Sequence, residues 1–228
     1  MPDEMGVFTT FVASPHQPVP YFADHYERLK RDTAFFSLPM PWPDLGAMQK
    51  EIDAYIAERM KEPMVMRISL TPKLTLNLRP LPPQQSSVRL SIVQFDRPFP
   101  QHKHLSRNLD THFLEQVQAQ HADDFLRVSS AGYLTETAYC NIFFVLPDAR
   151  LCTPCPQQAG CLPGIMRKAV LNQGLLIEEG CYTLGILSEA VGAFVTNAVR
   201  GIVPVSQIDN HMLDVNLIPS VIAREHLD

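Results

Sequence analysis

The segment DRPFPQHKHLSRNLD, residues 96–110, decides how the chain divides. Pro98 and Pro100 within DRPFPQ cannot continue a helix and disfavour a strand, so this stretch reads as a domain crossing. Directly behind it, Lys103 stands between His102 and His104 with Arg107 four positions on, at the mouth of a helical pattern. An ammonium group crowded by cations loses its proton more easily, and an amine must do so before it can attack a carbonyl. The alternative is a solvated basic turn, and these residues alone leave both readings open.

On the N-terminal side, DHYERLKRDTAFF (24–36) carries apolar residues at helical spacing with Asp24 in the N-cap position. A second helical pattern runs from about Asp44 to Met60, after the proline-rich LPMPWP. MVMRISL, LTLNLRPL and SVRLSIVQF alternate with the period of strands, and their separations suit hairpins. Residues 1–98 are therefore expected to form a small α+β domain, 99–103 a linker with the lysine at its end, and 104–228 a larger domain with a mixed-sheet or barrel-like core. In the larger domain the sequence predicts a helix over 105–120, a short strand in ADDFLRVS and a turn at GYLTETA leading into a second strand. NIFFVLP is continuous enough to be a strand buried on both faces. PGIMRKAVLNQGLL reads as a helix opened by Pro-Gly and closed near Gly174, and EAVGAFVTNAVRGIVPVSQID as two strands around a polar turn at Thr196 and Asn197.

With 228 residues, 46% hydrophobic and 19% charged, the chain can bury a substantial core. A net charge of −5 gives no basic footprint for nucleic acid or an anionic membrane. No apolar run reaches spanning length, and MPDEMGVFTTF lacks the order of a signal peptide, so the expectation is a cytoplasmic protein. The five cysteines are an odd count that argues for reduced thiols. Cys152 and Cys155 form a C-x-x-C, but CTPCPQQAGC offers no histidine at ligand spacing and no second pair, so no metal site is expected.

Five motifs in order, HYERL, KHLSR, TETAYCNIFFV, LCTP with CLPGIMR, and TNAVRGIVPV, resemble the fold-type IV pyridoxal-phosphate enzymes, or class IV aminotransferases, over nearly the whole chain. That family includes branched-chain and D-amino-acid aminotransferases and aminodeoxychorismate lyases; GVFTT and KHLSR resemble the lyase branch most closely, although Ser106 replaces the asparagine expected there. The resemblance implies a two-domain, D-amino-acid-aminotransferase-like α+β fold, pyridoxal 5'-phosphate held between the domains, and a homodimer. It makes Lys103 the catalytic residue that forms the Schiff base with the cofactor aldehyde. It sets Glu136 against the pyridine nitrogen, where a carboxylate keeps that nitrogen protonated and the ring a better electron sink. Arg28 matches the family arginine that meets the phosphate. The backbone N–H groups of Ile165 and Met166 open a helix toward an anion, and Thr196 and Asn197 complete the cup.

A substrate with two carboxylates needs cations, for which Arg67, Arg79 and Arg107 are candidates. Without the resemblance, Arg28 reads as a surface arginine, Arg67 and Arg79 as arginines on the wet face of strands, and Glu136, Thr196 and Asn197 as ordinary turn residues. Three functions follow from it: a lyase converting aminodeoxychorismate to para-aminobenzoate and pyruvate for folate, an aminotransferase for branched-chain or D-amino acids, or a cofactor-binding protein that has lost catalysis. Family members usually begin with an extra hairpin before G-x-F-T-T. Here Gly6 comes almost at once, so that hairpin is expected to be missing.

Overall fold

The computed structural model describes residues 5–218 and separates into two units. One runs to Pro83 and takes in His102–Arg107; the other comprises Gln84–Gln101 and the chain from Asn108. The expected boundaries at 98 and 104 are thus redrawn twice. The strand in SVRLSIVQF leaves the N-terminal unit, and the lysine segment joins it.

The first unit contains β1 (Val7–Ala13), α1 (Phe22–Phe35), α2 (Leu45–Arg59), β2 (Met64–Leu70) and β3 (Leu74–Arg79), with an antiparallel sheet in the order β1-β2-β3. Alternation sorts its faces. Val7, Phe11, Met66, Ile68 and Leu70 lie in one core with Phe22 and Leu29 of α1 and Met48 and Ile52 of α2. The opposite face carries Phe8, Thr10, Arg67, Ser69, Asn77 and Arg79, as the register Phe8↔Ser69, Thr10↔Arg67 and Arg67↔Asn77 requires. Asp44 caps α2, accepting from Ala47 N at 2.8 Å. Asp24 is no cap: α1 starts earlier, behind Tyr21, and Asp24 lies in its first turn, where a carboxylate still suits the helix dipole. The GVFTT motif proves to open a strand. Gly6 lets Leu105 pack close to it: a Cβ there would lie 2.5 Å from Leu105 Cδ1, and that side chain would have to shift.

The second unit contains β4 (Val88–Gln94), α3 (Asn108–Ala119), β5 (Asp124–Val128), β6 (Asn141–Val145), β7 (Leu151–Pro154), α4 (Pro156–Ala159), α5 (Ile165–Leu171), β8 (Ile177–Gly180), β9 (Gly192–Asn197), β10 (Gly201–Ile208) and β11 (His211–Met212). Its sheet follows the order β5-β4-β10-β9-β6-β7-β8, with β11 beside β10. It is the curled mixed sheet of a half-barrel. Pairing is parallel at β4–β5, β4–β10 and β7–β8 and antiparallel elsewhere. Parallel pairing with β5 and β10 draws β4 out of the expected hairpin. As NIFFV predicted, β6 is buried on both faces: Ile142 and Phe144 enter one core, whereas Phe143 and Val145 enter another with Val170 of α5. GYLTETA forms no strand, only the isolated bridges Val128↔Leu134 and Glu136↔Asn141.

Candidate active site

Lys103 is seated by its backbone. Its N–H donates to Asp32 Oδ2 at 3.0 Å and its carbonyl accepts from Phe8 N at 3.0 Å, while Leu105 N donates to Gly6 O at 2.8 Å. Residues 103–105 therefore run alongside the start of β1, and the Lys103 ammonium lies 4.7 Å over the Phe8 ring. Asp32, one turn after Arg28 on α1, is 1% exposed. It also accepts from His102 Nδ1 at 2.8 Å and from Arg31 Nε and Nη2 at 3.0 and 2.8 Å. One buried carboxylate thus ties the lysine segment to the helix that carries Arg28. Asp32→Ala leaves the Lys103 N–H and His102 without this acceptor and is expected to cost about 2 kcal/mol or more, read by denaturant unfolding.

Arg28 is buried, and among the described residues no carboxylate pairs with it and its Nε has no hydrogen-bond partner. Its Nη2 donates to Thr9 Oγ1 at 2.6 Å, and burial lowers its pKa to about 10. A buried guanidinium in that state is costly unless an anion completes it. Thr9 Oγ1 also lies 2.6 Å from His25 Nδ1. The hydroxyl accepts from Arg28 and keeps both a second lone pair and its own proton for His25 Nδ1, so it pairs with either tautomer of the ring. Burial, Arg28 and Lys103 all push the His25 pKa well below its ordinary 6.5. Between that lowered value and about 6.5 the unfolded chain binds a proton that the folded chain refuses, so His25 costs stability as pH falls and none above that window. His25→Asn is expected to flatten the loss of stability between about pH 7 and about pH 5, checked by urea unfolding across that range.

Arg67 shares the Phe8 face with Lys103. Its guanidinium lies 4.0 Å over the Phe8 ring and its Nε donates to Ser69 Oγ at 3.3 Å. Burial, Arg107 and Arg79, in that order, lower its pKa. Arg107 and Arg79 are therefore each close enough to oppose the charge of Arg67.

In the second unit Glu136 is held on both oxygens. Oε1 accepts from Arg127 Nη2 at 2.7 Å and Arg97 Nη1 at 2.9 Å; Oε2 accepts from Leu162 N at 3.0 Å, with Asn141 Nδ2 at a marginal 3.5 Å. Arg127 also donates to Asp110 Oδ1 at 3.2 Å and Thr135 Oγ1 at 2.9 Å, so two buried guanidinium groups meet two buried carboxylates. Asn141 Nδ2 donates to Leu162 O at 2.8 Å. A Cβ at Gly164 would collide with the Asn141 amide oxygen, which makes that glycine necessary where the loop enters α5.

Ile165 and Met166 begin α5 behind Gly164, which provides no side-chain cap, and their own side chains are buried. Thr196 is 2% exposed, and its Oγ1 has no hydrogen-bond partner among the described residues. Asn197 is committed to the β9–β10 turn, accepting from Val199 N and Arg200 N at 2.9 and 2.8 Å and contacting Cys140 Sγ. Each unit by itself carries groups of a kind that suits part of such a cofactor: in the first, Arg28 is a buried cation whose Nε has no hydrogen-bond partner among the described residues, a group that fits a phosphate; in the second, Thr196 is a buried hydroxyl in the same state, the first turn of α5 lacks a side-chain cap, and Glu136 is a fixed buried carboxylate, a group that fits a pyridinium. Thr9, His25, Asp32, Arg97, Arg127 and Asn141 were not singled out by the sequence; the H-x-x-R spacing in HYERL, one helical turn, was the signal that could have found His25.

Among the described residues no His, Cys, Asp and Glu cluster could hold a metal ion, and no helix is long and apolar enough to cross a membrane. The family model of class IV amino-transferases matches residues 6–208, and the chain belongs to that family, whose fold-type IV members use pyridoxal phosphate. A Thermotoga maritima protein provisionally assigned as a branched-chain-amino-acid aminotransferase is 26% identical over 200 residues, 82% of this chain and 71% of that one. Among solved structures, a Legionella pneumophila protein provisionally assigned as a 4-amino-4-deoxychorismate lyase is similar with a TM-score of 0.86 and 22% identity, over 95% of this chain and 87% of that one. A hypothetical aminotransferase from Mycobacterium tuberculosis, solved with pyridoxal phosphate bound, has a TM-score of 0.81 and 18% identity over 95% and 88% of the two chains.

Proposed function

We propose that the chain is an aminodeoxychorismate lyase, releasing para-aminobenzoate and pyruvate, with pyridoxal phosphate as cofactor and a homodimer as the working form. The observation that carries the lyase reading is Arg67: a half-buried guanidinium with no carboxylate partner among the described residues, on the same aromatic ring as the Lys103 ammonium, with Arg79 and Arg107 near it. A dicarboxylate substrate answers that charge, whereas a leucine-like side chain does not.

In this reading Lys103 holds the cofactor aldehyde, Arg28 its phosphate together with Thr196 and the Ile165 and Met166 N–H groups, and Glu136 its ring nitrogen, while Asn197 shapes the turn that presents Thr196. The cofactor supplies an electron sink for the charge left when the carbon beside the substrate nitrogen loses its proton. Lys103 Nζ takes that proton and then delivers one to the methylene carbon of the enolpyruvyl group, so that pyruvate leaves and the ring becomes aromatic; one base works in two roles.

The test is an incubation with aminodeoxychorismate and no keto acid. Equal, sustained release of pyruvate and para-aminobenzoate is expected. The second reading, an aminotransferase for branched-chain or D-amino acids, is favoured by the Thermotoga relative. It predicts keto-acid-dependent turnover of such an amino acid and no pyruvate from aminodeoxychorismate. A chain that binds the cofactor and turns over neither substrate would be the degenerate binding protein.

A further inference from the structure

The C-x-x-C of the sequence pairs the wrong cysteines. Cys152 is buried in the larger core, and strand alternation sets it on the opposite face of the sheet from Cys155. The neighbour of Cys155 is Cys181. In the parallel β7–β8 pair, Pro154 stands opposite Gly180, and Cys155 N donates to Gly180 O at 2.9 Å, which makes Cys155 and Cys181 the next two residues in register. Thr153 stands opposite Glu179 one pleat earlier, so both cysteines fall on that same face. Both are half-exposed, whereas Cys140, Cys152 and Cys161 are buried. Their thiols contact consecutive residues of α4, Cys155 Sγ to Gln157 Oε1 at 3.3 Å and Cys181 Sγ to Gln158 Oε1 at 3.7 Å.

We propose that Cys155 and Cys181 form a reversible cross-strand disulfide. Neighbouring strands lie about 4.8 Å apart, inside the range of about 4.4–6.8 Å between the Cα atoms of a disulfide. Side chains of parallel neighbours run side by side, however, and closing the bond must draw them together. The resulting strain makes this a reducible linkage rather than a permanent staple. A low-molecular-weight disulfide is the oxidant. The thiolate of one cysteine attacks one of its sulfurs and expels a small thiol; the second cysteine then attacks the mixed disulfide and expels the other, so that two protein thiols are oxidised and one small disulfide is reduced to two thiols.

The bond would act on the loop that leaves Cys155. That segment passes through α4 to Leu162, whose N–H donates to Glu136 Oε2 at 3.0 Å. Cys155 is already hydrogen-bonded to β8, and drawing its side chain across to Cys181 shifts the start of that segment, which is expected to disturb that contact. This consequence, unlike the disulfide itself, rests on Glu136 contacting the cofactor.

The test is to treat the full chain with oxidised glutathione and map the cross-links by mass spectrometry without reduction. A Cys155–Cys181 link that dithiothreitol removes is expected, and Cys155→Ser or Cys181→Ser should leave only a glutathione adduct on the remaining partner. A link between Cys152 and Cys155, adducts on both surface cysteines without a bridge, or no reaction overturns the proposal. Affinity for pyridoxal phosphate, followed by absorbance titration, is expected to fall by at least about tenfold on oxidation, the weight of one hydrogen bond to a charged group, and to return on reduction. An unchanged affinity with the bridge in place would contradict the coupling to Glu136 and leave the bridge standing.

Discussion

Lys103→Ala is expected to lower turnover by about 10^4-fold or more, since the group that holds the cofactor and the base that moves the proton are lost together. The protein should stay folded. What seats residue 103 is its backbone, through Phe8 N and Asp32 Oδ2, and alanine keeps both contacts. The variant should therefore unfold near the wild-type denaturant midpoint and still bind pyridoxal phosphate through Arg28, but without a covalent bond. A Lys103→Ala enzyme with near wild-type turnover would show that the base is elsewhere.

Glu136→Gln carries the second large effect, and it has two parts. The carboxylate balances Arg97 and Arg127, and its loss leaves Asp110 alone against two buried guanidinium groups. Breaking a buried pair in this way costs about 3–5 kcal/mol. Independently of that, a neutral amide no longer holds a proton on the ring nitrogen, and turnover is expected to fall by about 100-fold. Asp110→Asn separates the parts: it upsets the same charge balance without touching the proposed contact, so it should lower stability and spare most of the rate in the folded protein. Equal rate losses in the two variants at a temperature where both are folded would assign the effect to the ion cluster alone.

The differences between sequence and structure have physical causes. The family itself was legible because its motifs, KHLSR and LTETAY among them, are short and local, and their residue order does not depend on the partners they meet in space; the roles of Lys103 and Glu136 remain part of the proposal. β2 and α2 were legible to within a residue, through alternation in MVMRISL and through the helical pattern that follows the proline-rich LPMPWP. β4 was assigned to the wrong sheet because its partners are β5 and β10, parallel strands far along the chain, and alternation reports a strand's faces but never its neighbour. The buried polar contacts of Thr9 and His25 beside Arg28, and of Asp32 with the lysine segment, were invisible for a related reason. Each residue reads as an ordinary surface choice until the sheet and helix are packed, and only then does burial turn Arg28 and Asp32 into groups that require partners. Asn197 shows the reverse: a turn residue that looked like a ligand is held by the turn itself.

The central claim, that Lys103 carries the cofactor, is tested most directly by reducing the protein with borohydride after reconstitution with pyridoxal phosphate and mapping the labelled peptide. One stable label is expected, on Lys103 in the peptide containing QHKHLSR. A label confined to another lysine, or none after a visible cofactor band has formed, would contradict it.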